Sequence, residues 1–430
     1  METITAPLAA PDDSPATRGP AILEPLRLRD FRLLFSGESI SLIGDQFHFV
    51  ALAWLVLQLT GSGLALGTVL MVAAIPRAVF MLIGGALSDR FSPRSLMLIS
   101  NALRGVVVGI VAALVLSRNA QLWQLYVLAG IFGVVDAFFH PALNTIVPML
   151  VKERQLPAAN AIVQITQQLT GLIGPAIAGL VVAAFQTGPA FAVDAISFVV
   201  ATGLLFFVRG GRRAARVVDP NVPQDGLLAT IGSGLAFVWR DPPVRSLIFL
   251  VAAFNFAFNG PILVGLPYLA DSRFHGGAAL FGIMIAAYGG GAVAGALFAG
   301  SVKHVPRLGL VTLVIALAMG LGMAVIGLAQ DLGIALAPMV GIGLGAGFIN
   351  VRVIAWLQRR SPAEYIGRVM SLLFLGAMGL QPVSLAVSGA LIDFGAVTLI
   401  FIVSAGIVMG AVVVGLLGGV PTQMTDEPAS

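Results

Sequence analysis

Cysteine is missing from all 430 residues, so the chain can hold no disulfide framework, no thiolate nucleophile and no sulfur-ligated metal. Histidine is almost as scarce. Its four copies, His48, His140, His275 and His304, stand in separate apolar runs or loops without the spacing of a metal site. Charge is thin too: Asp, Glu, Lys and Arg make 10% of the chain against 58% hydrophobic residues, and the mean hydropathy is +0.98. A water-soluble fold cannot cover so much apolar surface with so few charges, so the surrounding solvent must be lipid. The net charge of +4 does not mark a nucleic-acid binder, because the basic residues are scattered between apolar runs rather than gathered in one patch. A phosphate-cradling loop is also lacking. Neither Gly289-Gly290-Gly291 nor the alternating glycines 341, 343, 345 and 347 lead into Lys-Ser or Lys-Thr, and both read as packing or hinge sites. Without a reactive constellation, neither an enzyme nor a cofactor is expected.

What is present is a succession of apolar runs of membrane-crossing length. They predict helices near 31–59, 62–88, 95–116, 121–145, 157–184, 188–208, 244–269, 277–300, 308–329, 332–356, 364–391 and 396–418. An even number of crossings returns both termini to one side. Only Arg118 and Arg273 fall on the opposite side, with Arg77, Arg104 and Arg352 inside spans, and every other Lys and Arg lies on the side of the termini. Both ends are therefore expected in the cytoplasm, and the chain in the cytoplasmic (inner) membrane. Residues 1–25, rich in Pro, Ala and Asp, lack the charged start and apolar core of a signal peptide and read as a disordered cytoplasmic tail. Residues 26–208 and 244–418 read as two six-helix bundles, 209–243 as a cytoplasmic linker with an amphipathic segment at 227–239, and 419–430 as a second tail. A faint repeat supports the division. Arg29-Asp30 corresponds to Arg240-Asp241 and Pro93-Arg94 to Pro306-Arg307, both offset by about 210 residues. Parallel six-helix repeats place a substrate cavity between the halves near mid-membrane.

Ionisable groups inside apolar spans are costly, roughly 2.5–3.5 kcal/mol at mid-membrane, and usually face a partner or a wet cavity. In the first span Glu38, Asp45 and His48 are such groups, with the carboxylates sharing one helical face. Asp45 lies about 21 Å past Phe31, and Arg77 in the antiparallel second span lies about 18 Å before Asp89. The two are expected to pair. Protonating Asp45 would then release Arg77 and bias an alternating-access equilibrium, although a permanent pair that only fixes helix packing has the same residues. Arg104 and Asp136 are expected to pair in the third and fourth spans, with His140 one turn beyond, as a structural network. Glu38 is shallow, Arg352 can snorkel from the end of its span, and Asp194 reads as a packing or rim residue.

The uncharged polar residues are candidates for a substrate cavity. Asn160, Gln164, Gln167 and Gln168 form an amide stripe in the fifth span, while Asn255 and Asn259 stand one turn apart in the seventh beside Phe254 and Phe258. An amide-plus-aromatic wall suits an organic ligand. Trp54, Tyr288 and Gln381 are weaker candidates of the same kind, and close packing or lipid contact would account for the phenylalanines equally well.

Residues 84–94, Gly-Gly-Ala-Leu-Ser-Asp-Arg-Phe-Ser-Pro-Arg, form a charged turn between two apolar spans. This turn resembles the cytoplasmic loop between helices 2 and 3 of major facilitator superfamily transporters. Gly85, Leu87, Asp89, Arg90 and Arg94 match, while Ser92 and Pro93 depart from the pattern. Gly171, Gly174, Pro175 and Gly179 resemble that superfamily's antiporter-associated motif, with Ala178 replacing a glycine. More narrowly, Gly44-Asp45, Ala53-Trp54-Leu55-Val56-Leu57, Leu156-Pro157-Ala158-Ala159-Asn160-Ala161 and Gly367-Arg368-Val369-Met370-Ser371 look like the macrolide and multidrug efflux branch, which also contains siderophore exporters.

The resemblance implies an all-α membrane protein of twelve transmembrane helices in two pseudo-symmetric bundles. It implies proton-driven efflux of an amphipathic compound, with antibiotic resistance as the setting. Siderophore or metabolite export and nutrient symport remain the alternatives, as does a nontransporting sensor or scaffold of the same fold. The implied partners are a small amphipathic substrate, protons and membrane lipid, with no nucleic acid, acting on a monomer. Proton coupling falls to Asp45, Arg77, Asp136 and Glu38. A conformational latch falls to Gly85, Asp89, Arg90 and Arg94, with Asp89 contacting the start of the eleventh helix near residues 362–364, worth roughly 0.3–1 kcal/mol. The cavity falls to Trp54, Gln164, Gln168, Asn255, Asn259, Tyr288 and Gln381. One departure stands out: the basic residue expected near Gly130 and Gly133 is absent and Asp136 is there instead, which points to an atypical proton path through Asp45.

Overall fold

The computed structural model describes residues 21–210, 236, 238–302, 304–361 and 366–424, with 21, 81–90, 366–368, 371, 374 and 423 described by backbone course alone. Among these residues twelve helices are long and apolar enough to cross a membrane. They run Arg29–Thr60, Gly63–Arg90, Pro93–Leu116, Leu122–Leu150, Glu153–Phe185, Thr187–Phe206, Pro242–Ser272, Gly277–Ser301, Leu308–Leu328, Leu332–Arg360, the pair Ile366–Gly379 and Gln381–Asp393, and Val397–Leu417, and are spans 1 to 12 below. Local chemistry sets several boundaries. Span 1 stops where Gly61 adopts a left-handed φ of 63°. Span 3 starts with Ser92 accepting from the Ser95 N–H ahead of Pro93, and span 7 with Asp241 accepting from the Val244 N–H ahead of Pro242.

Three spans are interrupted where the sequence predicts continuous helices. Span 4 breaks after Asp136 and resumes at Phe139, span 11 breaks at Leu380, and span 7 passes through a π-helical turn at Pro261–Gly265. A proline lies close to each break, Pro141 in span 4, Pro261 in span 7 and Pro382 in span 11, where its missing N–H and ring displace the regular ladder.

Spans 1 to 6 pack chiefly with each other, as do spans 7 to 12, and the halves meet where span 5 lies along span 8 and span 2 along span 11. The outward surface carries bare apolar side chains such as Leu297 and Val199, as lipid contact requires. The face holding both chain ends is called terminal here, and the opposite face distal.

Both expected tails are partly built into the fold. Ala21–Arg27 form a 3-10 helix, and Glu24 accepts hydrogen bonds from Arg154 at 3.0 Å and Gln155 at 2.9 Å. At the other end Val420 and Met424 are buried, and the Met424 carbonyl accepts from the Gly309 N–H at 2.9 Å. Residues 1–20 and 425–430, and the amphipathic segment at 227–239 apart from helical residues 236, 238 and 239, lie outside the described residues. The two Arg-Asp copies of the repeat are used differently. Asp30 accepts from the Arg209 and Gly210 N–H groups after span 6, whereas Asp241 binds Arg360 at the end of span 10.

Candidate functional site

On the distal face the two halves are held together. Asp393, the last residue of span 11, accepts from Ser62 Oγ at 2.6 Å and from the Gly63 and Leu64 N–H groups at 2.7 and 3.2 Å. A carboxylate from one half thus caps the first turn of span 2 in the other, where the unpaired N–H groups and the helix dipole favour negative charge. Below it the backbones touch. A Cβ on Gly67 would strike the Leu385 carbonyl, and one on Gly389 would strike the backbone of Gly63 and Leu64. Spans 5 and 8 close in the same way, since a Cβ on Gly282 would collide with the Pro175 carbonyl and with Gly179.

On the terminal side of this seal lies a cavity of about 530 Å³ between the halves, bounded by Gln46 of span 1, Gln168 and Gly171 of span 5 and residues of spans 7 to 11. Leu247 and Leu250 reach it near the start of span 7, and Val353 and Ile354 near the end of span 10, which places it in the terminal half. Its polar groups are Gln46, Gln168, Asn255, Tyr288, Thr312 and Asn350, and none of the lining side chains carries a charge at neutral pH. Of the residues expected there, Gln168, Asn255 and Tyr288 line it. Gln164 is exposed, Trp54 packs against Gly277 at the distal seal, Gln381 begins the second part of span 11, and Asn259 donates to the Asn255 carbonyl at 2.8 Å. Gln46 and Asn350 were the sequence's unread members. Each is an amide isolated in an apolar span, the same signal that singled out Gln168.

Apart from Arg352 in span 10, the buried charges among the described residues sit away from the cavity, in spans 1 to 4 and 6. Asp136 is clamped by two arginines, Arg104 at 3.0 Å and Arg77 at 3.3 Å. The expected Asp45–Arg77 pair does not form: span 2 packs along span 4, which brings Arg77 to Asp136 instead. Among the described residues no hydrogen bond or ion pair reaches the Asp45 carboxylate. Arg104 also lies over the Phe139 and Phe198 rings at 4.1 and 4.7 Å and donates to Asn101 Oδ1. Glu38 is buried, within electrostatic reach of Arg104 and Asp136. Asp194 is no rim residue: it is fully buried and faces His48. Arg352 does not snorkel but is buried and donates to the Val302 carbonyl. No cluster of His, Asp and Glu suited to a metal occurs among the described residues.

Two helix bundles, a cavity between them and carboxylates buried in one half are the anatomy of a transporter, and residues 34–382 match the Major Facilitator Superfamily. The chain belongs to that superfamily. Macrolide efflux protein A of Streptococcus pyogenes is 24% identical over 346 residues, covering 80% of this chain and 84% of that protein. The multidrug efflux pump Tap of Mycolicibacterium fortuitum is 28% identical over 380 residues, covering 86% and 89%. In fold, a bacterial homologue of the iron transporter ferroportin superposes with a TM-score of 0.71 at 18% identity, covering 91% of this chain and 98% of that one.

As a superfamily transporter, the chain places its motif residues as follows. Gly174, Pro175 and Gly179 lie where span 5 is pressed against its neighbours, Gly174 facing Gln46 of span 1 and Gly179 facing Ala278 and Gly282 of span 8. Gly171 has open space in the direction of a side chain. The glycines of spans 8 and 10 also serve close packing: a Cβ on Gly343 or Gly347 would meet the backbone of span 8 at Tyr288 or Ala292. The side chains of Gly85, Asp89 and Arg90 and residues 362–365 lie outside the description. Arg94 donates to the Phe206 carbonyl at 2.6 Å, placing a cation at the end of span 6 where orphan carbonyls favour it.

Proposed function

We propose that this transporter exports amphipathic organic compounds from the cytoplasm in exchange for protons by alternating access. The observation that carries the reading is the division of labour between the halves. A cavity with uncharged amide, hydroxyl and aromatic walls lies on the terminal side, while the buried carboxylates among the described residues stand outside it in the first half. A space of about 530 Å³ is of the size that takes drug-like molecules. Its uncharged lining favours compounds held by apolar contact and a few hydrogen bonds over sugars, which need many hydroxyl-reading groups. With the positive-rich terminal face in the cytoplasm, the sealed distal face makes this the loading state of an exporter.

Coupling rests on the carboxylates. Asp136 is neutralised by two arginines and is a poor proton carrier in this arrangement. Asp45, without such a clamp and within electrostatic reach of Arg104 as well as of Asp194, Asp136 and Glu38, carries the exchangeable charge. The test is uptake of a lipophilic fluorescent dye into proteoliposomes with and without an imposed pH gradient. The gradient should accelerate the parent severalfold and leave Asp45→Asn unmoved. A parent indifferent to the gradient would remove proton coupling, and a gradient-responsive Asp45→Asn would remove Asp45 from it.

A further inference from the structure

The mechanism above leaves one buried titratable pair unused. His48 Nδ1 of span 1 and Asp194 Oδ2 of span 6 stand 3.3 Å apart, with the Asp194 side chain at 0% exposure. Neither atom has a hydrogen-bond partner. The two are at ion-pair distance without hydrogen-bond alignment. Their second carboxylate oxygen is held locally by Ser197 Oγ at 3.4 Å, and Gly44 lets span 1 press against the same two residues.

The surroundings of the pair are largely aromatic. The His48 ring stacks on Phe132 at 4.9 Å and meets the edge of Phe191 at 5.5 Å. Phe132 in turn meets Phe198, over which the Arg104 guanidinium lies. An aromatic wall from spans 4 and 6 therefore separates Asp194 from the Arg104–Asp136–Arg77 cluster, and His140 belongs to the far side with Asp136. On span 1 the nearest ionisable neighbours are Asp45, one turn away, and Glu38 beyond it, both acidic. Among the described residues, the group placed to offset the Asp194 charge directly is an imidazolium on His48.

We propose that His48 and Asp194 together form a proton-binding site whose loaded form stabilises the sealed distal face. One proton is bound by the pair. Loaded, it is imidazolium against carboxylate; unloaded, it is a neutral imidazole beside a carboxylate buried without compensation, which burial disfavours. His48 lies about 18 Å below the distal end of span 1 and Asp194 about 10 Å below that of span 6, so opening that face would bring water to the pair and relieve the unloaded form. Proton loss thus favours the distal-open state. This inference rests on the proposed proton-driven cycle and adds to Asp45 a second proton-binding group, one that senses the state of the distal face.

The absence of cysteine makes the test direct. Spin labels at Asn119→Cys and Gln330→Cys, exposed in distal loops of opposite halves, report opening as a longer distance in lipid nanodiscs without any substrate. Raising the pH should shift the parent's distances from short to long. His48→Gln and Asp194→Asn should each abolish that shift, while Arg154→Gln, an exposed site on the terminal face, retains it. Parent distances that do not move with pH overturn the site whether or not the variants fold, and so does a shift that survives in both variants. Gradient-driven dye transport in a protein whose pH shift survives His48→Gln would discard the pair while leaving proton-coupled export standing. A His48-dependent shift without gradient-driven transport would do the reverse.

Discussion

Replacing Asp393 by alanine should open the distal face. The carboxylate accepts three hydrogen bonds across the seal, from Ser62 Oγ and the Gly63 and Leu64 N–H groups. Loss of a helix cap costs about 1 kcal/mol, and the attraction of a carboxylate for a helix start adds roughly 0.3–1 kcal/mol. Asp393 is exposed, so screening trims the electrostatic part, and about 1–2 kcal/mol is the expected loss. Because the contact exists only while the halves touch, the whole loss falls on the sealed state. The ratio of distal-open to sealed molecules should rise by a factor of about 5–30. Ala278, 2% exposed and packed at the span 5–span 8 contact, reports that ratio when replaced by cysteine in this cysteine-free chain. Its reaction with an impermeant maleimide added from the distal side should accelerate by the same factor in Asp393→Ala, and by less in Asp393→Asn, which keeps an acceptor oxygen. A rate within about twofold of the parent would show that the glycine-mediated backbone contacts hold the seal without the cap.

The two arginines on Asp136 should differ sharply. Arg104 is 3% exposed in its side chain and Arg77 44%, so Arg104→Met should lower stability by about 3–5 kcal/mol and Arg77→Met by less than about 1 kcal/mol; equal losses in melting temperature would refute this ranking. At the span 5–span 8 crossing, Gly179→Leu should cost about 1–3 kcal/mol through overpacking and raise Ala278→Cys labelling, whereas Gly171→Ala, which meets open space, should label like the parent. Equal labelling would mean that the crossing is not part of the seal.

Much of the architecture was legible because membrane insertion is a one-dimensional problem. Each span must satisfy its own backbone in lipid, so apolar run length alone marked twelve helices, each within a few residues of its place in the structure. The breaks in spans 4, 7 and 11 were not legible, since prolines in apolar runs are compatible with straight or broken helices alike. Charge pairing was half legible. Arg104 and Asp136 share a depth in consecutive antiparallel spans and do meet, yet the same depth argument sent Arg77 to Asp45. Depth is set by position along one helix; azimuth is not.

The residues by themselves determined that this chain lies in lipid, crosses it twelve times and buries a handful of charges that a membrane protein keeps at a cost. Tertiary structure decided which of those charges face each other, that Asp194 is enclosed with His48 rather than at a rim, and that the two halves are sealed together at the distal face. The reason is physical. Hydropathy is a property of each segment, whereas a pair of side chains 3 Å apart depends on how two helices are rotated and offset against one another, and that is fixed by packing of the whole bundle.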